Sequence, residues 1–179
     1  CPCARATGSG PGVRVTGGDQ KVRWARNGER SACLAAASAR CGLGDRWGGR
    51  ATPVGWLQVA QKIGDHAPPG AVFHNRRFTG EIIPPNAPGR DPIVTRILCL
   101  RGLEQQNARA LSRGIFIHGT ADERHIGRPV SYGCLRRKAR DVVEPVEPGR
   151  PGNRGEITTD GVSGPLGTGT RADAARDGR

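Results

Sequence analysis

The 179-residue sequence contains no methionine, and its only lysines are Lys21, Lys62 and Lys138. Aromatic residues make up 4% of it, and no apolar run approaches the ~20 residues that a membrane-spanning helix needs. Each scarcity excludes something. A single-strand binder interleaves aromatic platforms with its positive charge. Here the net charge is +12, but it is nearly all scattered arginine in a Gly/Ala/Pro-heavy chain, a composition typical of GC-rich coding. No nucleic-acid partner is therefore expected, and no transmembrane segment. The chain opens on Cys1 rather than methionine and reads as a fragment or processed product, so the lack of a signal peptide says nothing of compartment. The six cysteines show no CxxC and the histidines no HxxxH spacing, which argues against a structural zinc. Cys33 and Cys99 read as small buried hydrophobes, and a Cys33–Cys41 disulfide stays open.

With 35% hydrophobic residues and a mean hydropathy of −0.52, the core must come from the richest segments. Val13-Arg14-Val15 and Lys21-Val22-Arg23-Trp24 alternate as strands around a Thr16–Asp19 turn. Residues 31–40 are Ala-rich and favour helix by propensity, whereas Asn27-Gly28 just before them signals a hairpin. Residues 41–56 form a glycine-dense loop, and Trp56–Ala60 reads as a strand. Residues 64–92 read as irregular, with Phe73 and Phe78 as anchors. Ile93–Leu100 is the strongest strand signal, and Ile115–His118 is another. Leu135–Glu144 is predicted as a short helix stopped by Pro145. Residues 1–12 and 145–179, rich in Gly, Pro and Arg, read as disordered tails around a mostly β domain at 13–144.

The chemistry concentrates in Ile117-His118-Gly119-Thr120 and Ile126 to Arg136. His118 ends an apolar strand, and Cys134 lies in the turn Ser131-Tyr132-Gly133-Cys134. A thiol is a weak nucleophile until a base removes its proton, and imidazole is the side chain suited to that near neutral pH. Gly133 lets backbone N–H groups converge on one point, as an oxyanion hole requires. A helix starting at Leu135 would favour thiolate at Cys134 through its dipole. His125 sits in a charged run and reads as solvated; His66 and His74 read as exposed.

As a string, Ile117–Arg136 resembles the signature of the L,D-transpeptidase catalytic domain, the YkuD-like family, in its form Ile-His-Gly-Thr, a short loop, Ile-Gly-x-Pro, then Ser-x-Gly-Cys-Ile-Arg. Gly44–Gly55, ending in Thr52-Pro53-Val54-Gly55, resembles that family's upstream loop, and Arg77–Ile82 and Thr95–Leu98 also resemble its segments. The resemblance implies a β-sandwich-like domain with the cysteine in a groove under a lid. It implies a periplasmic or cell-envelope enzyme that acts on peptidoglycan stem peptides, needs no metal or other cofactor, and accepts carbapenem-type inhibitors. By position, Cys134 is then the nucleophile, His118 the base, and Gly119 supplies the carbonyl that orients the imidazole. Gly133 and Cys134 offer oxyanion donors, Ser131 and Tyr132 flank the substrate, and Arg136 meets a stem carboxylate. Two departures stand out: Tyr132 replaces the usual histidine of the turn, and no closing strand is legible after Glu144. Alternatives left open are an L,D-carboxypeptidase, with water as acceptor, and an inactive or truncated wall-binding fragment.

Overall fold

The computed structural model describes residues 12–16, 21–26, 29–143 and 151–158. Its centre is the strand with the longest apolar run. All of Val94–Leu100 is buried, and a strand covered on both faces must be apolar on both. Leu98 and Leu100 enter one cluster with Leu57, Val59, Ile117, Leu135 and Ile157. Ile97 and Cys99 enter another with Ala71 and Phe73.

In chain order the strands are β1 (Gly12–Thr16), β2 (Lys21–Arg26), β3 (Glu29–Ala35), β4 (Gly55–Ile63), β5 (Ala71–His74), β6 (Arg77–Ile82), β7 (Ile93–Gly102), β8 (Phe116–Thr120), β9 (Leu135–Lys138) and β10 (Arg154–Thr158). Hydrogen bonding runs β3-β2-β1-β10-β4-β7 and continues through β8 to β9. The segment leaving β3 then bridges to β9 at Ala37↔Arg136. The two ends of the path therefore meet, and the sheet curls around the larger cluster. The β5–β6 hairpin hangs from the start of β7 through Val72↔Val94 and Phe73↔Ile93.

The mostly β class matches the sequence reading. Val13–Val15 falls in β1, Lys21–Trp24 in β2 and Trp56–Ala60 in β4. The Ala-rich segment is strand over Glu29–Ala35, while the Asn27-Gly28 turn, residues 1–11 and residues 159–179 lie outside the described residues.

Several expectations need correction. The helix expected after Cys134 is β9 instead, followed by a single 3₁₀ turn at Arg140–Val142. Its burial alternates, with Leu135 and Arg137 inward, and parallel pairing with β8 outweighs the helix propensity of Leu, Arg and Lys. Residues 64–92 hold the β5–β6 hairpin, turned by Asn75 (φ 48°) and Arg76 (φ 65°). Cys41 is a free, exposed thiol, so it forms no bridge with Cys33.

A strand that is not legible after Glu144 in the sequence is present as β10. It fills the gap between β1, which it meets in parallel, and β4, which it meets antiparallel. Its one large apolar side chain, Ile157, is 3% exposed and completes the main cluster. A cavity of about 20 Å³ already lies beneath it, among Leu57, Leu100, Ile117 and Leu135. Ile157→Ala is expected to enlarge that void and to destabilise the domain by about 3 kcal/mol. A lowered urea midpoint at unchanged slope would show it.

Candidate active site

The site is set by the register of two parallel strands. Ile117 pairs with Leu135 and His118 with Arg136. Ile117 and Leu135 both point into the main cluster, so alternation turns His118 and Arg136 to the opposite face, with Cys134 one pleat before Arg136. The charge of Arg136 reaches both His118 and Cys134, as that placement requires.

His118 is 6% exposed, and its Nδ1 lies 2.8 Å from the carbonyl oxygen of Gly119. A carbonyl only accepts, so Nδ1 carries the proton and Nε2 is the basic nitrogen. Glycine is required beside it. β7 bulges between Val94 and Ile97 with Thr95 at φ 73°, which brings the Val94 carbonyl onto Gly119. A Cβ at Gly119 would lie 2.5 Å from that oxygen.

The Cys134 thiol donates to the Gly114 carbonyl at 3.4 Å and is also touched by the backbone of Phe116. Among the described residues no hydrogen bond joins thiol and imidazole. Burial pushes the thiol pKa up, against the opposing pull of the Phe116 backbone, Arg136 and Arg113. Burial likewise lowers the His118 pKa to about 4; the Gly119 carbonyl and Asp91 oppose this, and Arg136 reinforces it. At rest the pair is therefore neutral thiol and neutral imidazole. With β9 in place of a helix at Leu135, no helix dipole favours a standing thiolate at Cys134.

This has a consequence for stability. An unfolded histidine binds a proton near pH 6.5, whereas folded His118 does so only near pH 4. Between those values the unfolded chain holds the extra proton, so stability rises with pH and is lost on acidification. The loss is expected to total about 3 kcal/mol by pH 4. Urea titrations from pH 7 to pH 4 check it: His118→Gln should flatten that part of the profile.

The other candidates occupy distinct places. Ser131 is buried; its hydroxyl donates to the Cys134 carbonyl at 2.5 Å and accepts from the Gly133 N–H at 3.2 Å. It ties the turn together, and the Gly133 amide is engaged there. Gly133 sits at φ 127°, where a Cβ would also press on Ile115 at 3.0 Å. Arg136 is held by Asp91 at 2.5 Å, and Asp91 also accepts from Thr120 at 2.5 Å. Tyr132 is 51% exposed, with Arg40 and Arg50 over its ring. His125 pairs with Asp122, and His66 and His74 are exposed, as the sequence suggested.

Asp91 and Arg113 escaped sequence reading, and Thr52 is marked there only by its place in the upstream loop. Asp91 carries no motif. Thr52 hydrogen-bonds both the Ala39 N–H and the Gly133 carbonyl at 3.0 Å, clamping the loop to the cysteine turn. Buried Arg113 pairs with Asp45 at 2.5 Å and donates to the carbonyls of Gly44, Gly49 and Ala51. A cavity of about 530 Å³ opens between the β5–β6 turn, at Asn75 and Arg76, and the 111–114 loop. Gly114 and Phe116 line it, so it ends against the two backbone neighbours of the thiol.

A curled β-sheet that holds a buried imidazole on one strand and a half-buried thiol just before the strand parallel to it is a scaffold suited to acyl transfer. The model of the YkuD family, the L,D-transpeptidase catalytic domain, matches residues 12–152, and the chain belongs to that family. Its fold is similar to an L,D-transpeptidase (residues 123–326) from Xylanimonas cellulosilytica, at TM-score 0.56 and 16% identity over 88% of this chain and 65% of that one. An L,D-transpeptidase from Mycobacterium smegmatis gives TM-score 0.51 and 17% identity over 85% of this chain and 60% of that one. The catalytic domain of the E. faecium L,D-transpeptidase gives 0.52 and 16% over 86% and 100%. The chain thus spans 60–65% of the length of the first two structures. No curated protein matches the sequence.

Proposed function

We propose that this domain catalyses L,D-transpeptidation on peptidoglycan stem peptides at the cell envelope, with Cys134 as nucleophile and His118 as general base. The observation that supports the reading is the parallel β8–β9 register, which pairs His118, its Nδ1 toward the Gly119 carbonyl, with Arg136, two residues after Cys134. Cys134 Sγ attacks the carbonyl of the third stem residue, a diamino acid, and its proton passes to Nε2 of His118. The C–N bond to the terminal D-alanine breaks, and the same proton leaves with its amine. A thioester remains. An acceptor amine on a second stem attacks it, the S–C bond breaks, and the amine's proton returns through His118 to sulfur. The amide of Cys134 faces the developing oxyanion. Arg136, locked to Asp91, acts through its charge: it favours thiolate and disfavours a standing imidazolium.

One relative has been solved in complex with imipenem, an L,D-transpeptidase of 17% identity to this chain. Exposure of this protein to a carbapenem is expected to give one covalent adduct by intact-mass spectrometry, mapped to Cys134 and lost in Cys134→Ala. A folded protein that stays unmodified would sink the assignment.

A further inference from the structure

We propose that Arg40, Tyr132 and Arg50 form a subsite for the carboxylate of the donor peptide's terminal D-alanine. The proposal rests on the transpeptidase reading and names how that site selects its substrate.

The three side chains converge. The guanidinium carbons of Arg40 and Arg50 lie 4.4 Å and 5.1 Å from the centre of the Tyr132 ring. Both cations are exposed and sit about the same ring, so each raises the positive potential at the other, an effect that salt partly screens. Among the described residues neither has a carboxylate partner, whereas Lys62, Arg90, Arg113 and Arg136 each have one. The ring face offsets part of this positive potential, and an anion drawn to the two guanidinium groups would offset more of it.

The convergence is built into the backbone. The Arg40 N–H donates to the Ser131 carbonyl at 3.0 Å. Thr52, two residues after Arg50, receives the Ala39 N–H and reaches the Gly133 carbonyl. Its own amide donates to Gly42, and its carbonyl accepts from Gly44. Three separate segments are thus clipped together, which keeps the backbones that carry the stack beside the cysteine turn.

Position selects the ligand. Tyr132 lies two residues from Cys134, a span of at most ~7 Å. The carboxylate fixed closest to the attacked carbonyl belongs to the leaving D-alanine, one residue beyond it at ~3.5 Å. Arg136 and Arg113 are the cations whose charge reaches Cys134, and Asp91 and Asp45 already neutralise them. The arginine pair over Tyr132 is the one with charge to give.

The test compares a synthetic tetrapeptide ending in diamino acid–D-alanine with its C-terminal amide. Equilibrium binding is measured by calorimetry on Cys134→Ala protein, so no turnover intervenes. The acid is expected to bind about tenfold more tightly than the amide. Adding Arg40→Gln and Arg50→Gln should abolish that preference and leave the affinity for the amide unchanged; Arg50→Lys alone should keep part of it. Equal affinity for acid and amide, no measurable binding of the acid, or a preference that survives the double substitution would each overturn the subsite. Acylation of Cys134 in the otherwise intact protein is scored separately. Its failure counts against the transpeptidase reading, while the binding result still decides the subsite.

Discussion

Replacing His118 with alanine is expected to slow acylation of Cys134 by about 10²–10⁴-fold. The size of the effect follows from the resting electrostatics. The thiol is half-buried and its pKa raised, with desolvation the largest cause, so little thiolate exists near neutral pH. Attack must be accompanied by proton removal, and the free Nε2 of His118 is the acceptor that the Gly119 hydrogen bond leaves available. Arg136, on the same face, cannot accept a proton at all. Without the imidazole the thiol must ionise unaided. The rate in His118→Ala should then climb about tenfold per pH unit through neutrality and beyond, following the thiolate fraction, while the intact protein shows a shallower rise. Stopped-flow acylation against pH, with circular dichroism to establish that the variant is folded, reads both. An alanine variant that acylates at the parent rate would remove His118 from the mechanism.

The dyad was legible because its residues are local to a string with unusual punctuation: a strand ending on His118 with Gly119 behind it, then Gly133 before Cys134. What the string does not carry is partner choice. Leu135-Arg136-Arg137-Lys138 is built of good helix formers, yet it lies against the open edge of β8, and pairing decides its state. Asp91 is remote in sequence from both halves of the motif and joins them through Arg136 and Thr120. β10 was invisible for a different reason. Arg154-Gly155-Glu156-Ile157-Thr158 has one large apolar residue, too few for a period-two pattern. It is a strand because β1 and β4 each leave an edge that needs covering. The β5–β6 hairpin turns through Asn75-Arg76 where a glycine is usual at the second position, so its signal was weak. In each case nonlocal pairing outweighed local composition.

The same distinction explains why the largest stability effect is expected at a residue that no motif marks. Asp45→Ala should destabilise the domain by about 3–5 kcal/mol, because it strands the Arg113 guanidinium in the interior. Both side chains are 4% exposed. Asp45 does more than neutralise: it also accepts the Arg109 N–H at 2.8 Å, fastening the loop from the other side. Arg113 in turn reaches the carbonyls of Gly44, Gly49 and Ala51, three points along a glycine-dense segment with little side-chain packing of its own. Removing both charges with Asp45→Leu and Arg113→Met is the usual way to relieve a buried pair. Here it should recover only part of the loss, since those three carbonyls would be left without their donor. Thermal denaturation of the two single variants and the double should therefore show a midpoint drop of roughly 10–20 °C for Asp45→Ala, with incomplete rescue in the double. The loop also carries Thr52, which holds the Gly133 carbonyl, so the double variant should acylate Cys134 more slowly even where it is fully folded. Full rescue of both stability and rate would mean that the ion pair is replaceable packing, and that the cysteine turn keeps its geometry without it.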